Sequence, residues 1–141
     1  MDLWTLSDLC TPWCVHVAAT LRIADHIAAG KGEIEELAAA AGADRDSLHR
    51  MLRHLVGKGL FAEPSPGRFA LNELAQGLLG ESGRIGFDLD SFGGRMAYAW
   101  GTLLSAVRSG KPAYHEAFGL LVAGLPSKTR MLMGLPSPMI Q

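Results

Sequence analysis

A change of hydrophobic period near residue 60 is the feature that most constrains the fold. Two segments before it carry apolar residues at helical spacing, the first at Ile34, Leu37, Ala38 and Ala41 and the second at Leu48, Met51, Leu52, Leu55 and Val56. After it, residues 60–63 and 68–71 are short strand-like runs around the turn sequence Pro-Ser-Pro-Gly. Helix, turn, helix and hairpin in this order predict a winged helix-turn-helix.

Capping residues support these boundaries. Gly42 is suited to end the first of the two helices, and Asp44 is the expected N-cap of the second. Gly57 and Gly59 follow its last apolar residue, and Asn72 is expected to cap a helix over residues 73–79. The predicted fold class is therefore mainly α, with a winged helix-turn-helix core and a short two-stranded β wing.

The remaining segments are also predicted to be helical. Apolar residues near helical spacing predict helices over 3–10, 12–20 and 21–29, because Pro12 is expected to interrupt the first helix or to restart a new one. A later helix is predicted over 95–109, separated from the preceding segment by Gly93 and Gly94. Residues 120–141 show neither period, so we expect one domain over 1–119 and an irregular tail over 120–141.

The N-terminal segment also suggests an interface. Hydrophobic residues make up 48% of the chain and charged residues only 19%, which indicates a surface that a partner covers. Trp4 and Trp13 either pack on the domain's own core or are buried across a dimer interface, where tryptophan is enriched. The second interpretation predicts a homodimer with these interface residues: Leu3, Trp4, Leu6, Leu9, Trp13 and Val17.

No arrangement of residues predicts catalysis or metal binding. Cys10 and Cys14 share a helix face, and we expect them to be small buried thiols in a reducing cytoplasm, not a redox or zinc motif. The five histidines are scattered, and His49 and His54 lie five residues apart, which does not place them on one helix face. The predicted sets of catalytic and metal-binding residues are therefore empty.

The helix-turn-helix raises a DNA-binding alternative, which the charges oppose. Arg45, Arg50, Arg53 and Arg68 could reach phosphates, but Asp46 and Glu63 lie among them and the net charge is −1. We therefore expect no nucleic-acid partner. With no apolar run of 18 residues and no basic leader, we also expect no membrane association and a cytoplasmic location.

Several stretches together are similar to a known family. They are LWTLSDLCTP (3–12), VAATLRIADH (17–26), ELAAAAGA (36–43), LRHL (52–55), GRFAL (67–71) and KPAYHEAFG (111–119). In this order they resemble the N-terminal region of actinobacterial polyketide and antibiotic O-methyltransferases, which are related to plant caffeic-acid-type enzymes.

The resemblance implies a helical domain that intertwines with its twin and roofs the substrate pocket of a Rossmann-like domain. That second domain would hold S-adenosylmethionine and the catalytic histidine. No G-x-G-x-x-G follows a strand here, so we expect no cofactor site in this chain, as in a truncated or frame-shifted gene. By the same resemblance a roof helix would line an aromatic pocket with Phe92, Met96, Tyr98 and Trp100; the alternative is that these are core residues or exposed remnants.

The predicted function is a non-catalytic homodimerisation domain of O-methyltransferase ancestry in secondary metabolism, not active alone. Three alternatives stay open. The chain could be one subunit of a split enzyme completed by a separate Rossmann methyltransferase chain. It could be an accessory protein that binds a small aromatic molecule, or a DNA-binding regulator.

Overall fold

The computed structural model describes residues 1–112, which belong to two compact units: residues 1–95, and a unit that begins at Met96. The first unit is mainly helical and contains one small sheet. Its helices and strands are α1 Leu3–Leu6, α2 Cys10–Thr20, α3 Ile23–Ala28, α4 Ile34–Ala41, α5 Arg45–Gly57, β1 Ala62–Ser65, β2 Arg68–Ala70, a 3₁₀ helix Leu74–Leu78, and α6 Gly80–Arg84.

The predicted helix-turn-helix and wing are confirmed. Gly42 ends α4 with a left-handed φ of 64°, and the Asp44 carboxylate caps α5 by accepting a 3.0 Å hydrogen bond from the Ser47 amide. Strands β1 and β2 pair antiparallel as the wing. The mainly helical fold class with a two-stranded antiparallel sheet is thus the observed one.

The wing is also attached to the segment before α4. The Ile34 amide donates to the Gly67 carbonyl at 2.8 Å, and the Phe69 amide donates to the Gly32 carbonyl at 2.8 Å. A Cβ atom at position 32 would lie 2.7 Å from the Phe69 oxygen, so glycine permits this close approach. These bonds hold β2 against the start of α4.

The core of the first unit lies between α2, α3, α4, α5 and the wing. It combines the apolar stripes of the helices with two aromatic rings from the hairpin region. Its buried members include Ile23, Ile34, Leu37, Leu48, Leu52, Leu55, Leu60, Phe61, Phe69 and Leu78. The helical stripes predicted from residues 34–56 therefore face the core, with Met51, Val56 and Ala41 only partly buried at its edge.

The break predicted at Pro12 lies earlier in the chain than expected. The chain breaks earlier, between Leu6 and Cys10, where an Asp8 carboxylate oxygen accepts hydrogen bonds from the Cys10 and Thr11 amides at 2.9 and 3.1 Å. Pro12 then falls in the first turn of α2. The amides of a first turn have no partner inside the helix, so a proline there loses no hydrogen bond.

The first strand of the wing is shifted by two residues from its prediction, whereas the second starts at residue 68 as predicted. Strand β1 covers 62–65 instead of 60–63, because Leu60 and Phe61 are buried in the core and Phe61 has a left-handed φ of 67°. Asn72 caps as predicted, accepting from the Ala75 amide at 2.9 Å, but the helix it starts is a 3₁₀ helix. Its side-chain NH₂ also donates to the Gly59 carbonyl at 2.8 Å, which ties the hairpin ends together.

The predicted helix over 95–109 is divided into three pieces. Helix α7 covers Phe92–Ala99, a 3₁₀ turn covers Trp100–Thr102, and α8 covers Leu103–Ser109. Gly93 and Gly94 do not separate segments; they are buried in the first turn of α7, where a Cβ atom would collide with backbone of Gly86 and Leu89. The predicted tail 120–141 and the predicted boundary at 119 lie outside the described residues.

Candidate functional site

The outer side of α1 and the start of α2 presents an apolar surface, here called the N-terminal face and defined by the six residues predicted as an interface. Helix α1 has only four residues and buries none of them. The Asp2 carboxylate caps it by accepting from the Thr5 amide at 2.7 Å, and this bond lowers the pKa of Asp2. The exposed fractions on this face are 75% for Leu3, 87% for Trp4, 71% for Leu6, 81% for Leu9 and 39% for Trp13.

It is unusual for several large apolar residues that lie close together in the sequence all to be exposed. Scattered exposed leucines need no explanation, but a contiguous group of this kind marks a surface that associates with something. Val17 is half-buried at the end of the face, and the Trp13 ring lies edge-on to the His16 ring with centroids 5.6 Å apart. The structure therefore places three of the predicted interface residues on α1, Leu9 at the N-cap of α2, and Trp13 and Val17 on α2. Their role as an interface stays a prediction.

The four residues predicted to line an aromatic pocket have different environments. Phe92 and Met96 are half-buried, whereas Tyr98 and Trp100 are 54% and 67% exposed. Phe92 belongs to the first unit and the other three belong to the second, so the pocket stays a prediction.

An apolar cleft of about 340 Å³ lies within the first unit. It opens between α2, α5 and the 3₁₀ helix, and sequence analysis did not anticipate it. Lys58 is its only charged residue; the other lining residues are Thr11, Val15, Leu55, Leu60, Leu74, Gly77, Leu78 and Phe87. Because these residues come from four separate stretches of the chain, no periodicity in the sequence could have indicated the cleft.

A polar cluster joins α2 to α5 beside this cleft, and we call it the α2–α5 cluster. The Thr11 hydroxyl contacts the Asp8 carboxylate and lies 2.9 Å from His54 Nε2. The hydrogen bonds from Thr11 lower the pKa of Asp8 to about 2. The Cys10 and Cys14 sulfur atoms are 3.7 Å apart, and burial raises the pKa of the Cys14 thiol to about 11.

The expectation of two buried thiols is wrong for Cys10, which is exposed, while Cys14 is half-buried. Ligand atoms of Cys10, Cys14 and His54 all lie within 4.8 Å of one another. Sequence analysis missed this group because His54 is 40 residues from the nearer cysteine. The i, i+4 spacing of the two cysteines was the one available signal.

The wing and the second helix of the helix-turn-helix carry paired charges. Glu63 lies at the wing, 3.1 Å from His49 Nε2 and 3.5 Å from Arg53 Nε. The Gly67 amide donates to the Glu63 carboxylate, and this bond is the main reason that its pKa is lowered. Arg45 pairs with Glu35 and Asp46, at 3.1 and 2.9 Å.

These elements define the class of the protein: a winged helix-turn-helix domain that carries an exposed apolar N-terminal face. The model of the O-methyltransferase dimerisation domain family matches residues 4–81. The chain belongs to this family.

Relatives show how far the likeness extends. The chain is 45% identical over 122 residues to the 2,7-dihydroxy-5-methyl-1-naphthoate 7-O-methyltransferase of Streptomyces carzinostaticus, covering 84% of this chain and 37% of that protein. It is 33% identical to the aclacinomycin 10-hydroxylase RdmB of Streptomyces purpurascens, covering 83% and 33% respectively. The chain thus spans about a third of the length of these curated relatives.

A solved structure of an O-methyltransferase shows the same likeness in fold. An O-methyltransferase from neocarzinostatin biosynthesis, in complex with S-adenosyl-L-homocysteine, is 40% identical with a TM-score of 0.79, covering 94% of this chain and 46% of that one. As a separate finding, no helix within residues 1–112 is long and apolar enough to cross a membrane.

Proposed function

We propose that this chain is the homodimerisation domain of an O-methyltransferase system in secondary metabolism, and that it transfers no methyl group by itself. The observation that carries the proposal is the exposure of Leu3, Trp4, Leu6 and Leu9, each more than 70% accessible. The family match supports a role for this surface in dimerisation, because a dimerisation domain needs an apolar face that a second copy can cover.

Burial of the N-terminal face can supply enough free energy to stabilise a dimer. Burying a large apolar side chain contributes about 1.5–3 kcal/mol, and association costs about 4–15 kcal/mol in lost freedom of motion. In a two-fold dimer each copy contributes the same face, so the exposed side chains act twice. Four such residues per chain can therefore offset the cost of association.

Sedimentation equilibrium of the purified chain at micromolar concentration tests the proposal. The expected result is twice the mass of the monomer, since obligate interfaces of this kind bury more than about 2,000 Å² in total. A single species of monomer mass at that concentration would contradict it.

The proposal that this chain is not catalytic alone has separate support. Two relatives share this portion of their chains at 45% and 33% identity, yet one is a methyltransferase and the other a hydroxylase. This difference supports the proposal that the reaction is decided outside the shared portion. The naphthoate methyltransferase favours a hydroxylated aromatic acid as the substrate class of the assembled enzyme.

We expect S-adenosylmethionine to produce no heat of binding when it is titrated into the isolated chain. Dinucleotide-type sites place a glycine turn between a parallel strand and a helix, and the sheet within residues 1–112 is a two-stranded antiparallel hairpin. Isothermal titration calorimetry measures this, with the full-length naphthoate O-methyltransferase as the positive control. Micromolar affinity would contradict the expectation, and methyl transfer that appears only after a second protein is added would support the split-enzyme alternative.

We also expect no binding of duplex DNA at low-micromolar protein in about 150 mM salt, since affinity for duplex depends mainly on phosphate neutralisation. Arg45 and Arg53 already contact carboxylates, and Arg68 lies 3.6 Å from Glu33. A gel-shift assay with random and promoter duplexes measures this. A sequence-specific shift that Arg50→Ala and Arg53→Ala abolish would establish the regulator alternative instead.

A further inference from the structure

We infer that Cys10, Cys14 and His54 form a binding site for a thiophilic d¹⁰ cation, for which Zn²⁺ is the appropriate test ion. The site belongs to the α2–α5 cluster and is made by two helices that the core holds together.

The separation of the two sulfur atoms suits a shared metal ion. Zn–S bonds of about 2.3 Å at the tetrahedral angle place two sulfur atoms about 3.7–3.8 Å apart. The observed distance between the Cys10 and Cys14 sulfur atoms is 3.7 Å. A ligand atom of His54 lies within 4.8 Å of both, so a small movement of the side chains brings all three onto one ion.

The donor set also selects the kind of ion. Thiolate and imidazole ligands together favour Zn²⁺ and Cu⁺ over hard cations such as Mg²⁺ and Ca²⁺. Binding replaces the thiol proton of each cysteine, and both protons are released to solvent as the two S–metal bonds form. Three protein ligands leave a fourth tetrahedral position open for water or for a donor from another molecule.

The surrounding hydrogen bonds orient the histidine ring. The single hydroxyl hydrogen of Thr11 is donated to the Asp8 carboxylate, which has no hydrogen of its own. The Thr11 oxygen therefore accepts from His54 Nε2–H at 2.9 Å, which leaves Nδ1 as the ring nitrogen that would bind the ion. Metal-binding histidines in proteins commonly have an oxygen partner of this kind on the other nitrogen.

The three side chains can be reached from solvent, and they are carried by two packed helices. In the single chain Cys10 is exposed and Cys14 and His54 are half-buried, so an ion can reach the three side chains from solvent. Cys10 and Cys14 follow one another by one turn of α2, and His54 lies in the last turn of α5, one residue before the fully buried Leu55. The helices hold the three ligands near their binding positions before the ion arrives.

Titration of the reduced full chain with Co²⁺, followed by competition with Zn²⁺ and a chromophoric chelator, tests this site. We expect one equivalent of metal per chain and a thiolate-to-cobalt charge-transfer absorption in the near ultraviolet. Cys14→Ser and His54→Gln should each weaken Zn²⁺ binding by about 100-fold or more, beyond the effect of losing an outer partner. Thr11→Val, which removes only the orienting hydroxyl, should weaken it by about 10- to 100-fold.

His26→Gln is the matched control, since His26 is a half-buried histidine on α3 outside the cluster, and its Zn²⁺ affinity should equal that of the natural chain. The wild-type Co²⁺ spectrum does not depend on any variant folding. If that spectrum lacks the charge-transfer band, the two sulfur atoms form only a thiol–thiol contact and the inference is overturned. Equal Zn²⁺ affinity of the natural chain and a folded His54→Gln variant would overturn it as well.

Discussion

Trp4→Ala is expected to raise the dissociation constant of the dimer by about 30- to 700-fold, which corresponds to a loss of about 2–4 kcal/mol. The Trp4 side chain is 87% exposed in the single chain, so its removal leaves the core of the domain intact. Most of its apolar area is therefore available for burial by a second copy. Tryptophan is also the residue type whose truncation is most often costly at interfaces.

Sedimentation velocity over a range of concentrations measures this change, with circular dichroism to show that the variant is folded. Ile85→Ala is the control, because Ile85 is a 44% exposed apolar residue of the same unit that lies outside the N-terminal face. The control should dimerise like the natural chain. An unchanged dissociation constant for Trp4→Ala, or an equal loss in both variants, would show that the dimer uses another surface.

Leu52→Ala is expected to lower the free energy of unfolding by about 2–5 kcal/mol, which is a large part of the stability of a small domain. Leu52 is 0% exposed and lies in the middle of α5, between Leu48 and Leu55 on the buried side. Shortening it removes apolar contact and leaves a cavity, since the packed helices around it cannot collapse completely.

Urea denaturation at one fixed protein concentration measures the effect, because dissociation of a dimer would otherwise contribute to the midpoint. Leu74→Ala is the matched control: the same substitution at a residue that is 64% exposed, with an expected change within about 0.5 kcal/mol. A loss below about 1 kcal/mol for Leu52→Ala would contradict the central place of α5 in the core.

Much of the fold follows from local patterns in the chain. The spacing of Leu48, Leu52 and Leu55 identifies the buried side of α5, and Asp44 and Gly42 mark its start and the preceding turn. These signals depend on residues within one or two turns of each other, so they can be recognised without the tertiary structure. The apolar residues of the N-terminal face could be recognised in the same way, because Leu3, Leu6 and Leu9 recur near helical spacing with few charges between them.

Other features depend on contacts between distant residues. Phe61 has strand-forming character but turns into the core in a left-handed conformation, so the hairpin begins later than its sequence predicts. Gly93 and Gly94 favour a break, yet the close approach of the Gly86 and Leu89 backbone places them inside a helix. In both cases packing outweighs a local preference of about 1 kcal/mol.

The α2–α5 cluster and the apolar cleft likewise combine features that local spacing determines with features that only tertiary packing determines. The i, i+4 spacing of Cys10 and Cys14 can be recognised in the sequence, and it places two sulfur atoms on one side of a helix. That His54 joins them, and that Thr11 orients its ring, results from the packing of α2 on α5 across more than 40 residues. Local spacing sets what one helix presents, whereas the long-range burial of apolar stripes determines which helices meet and therefore which side chains can act together.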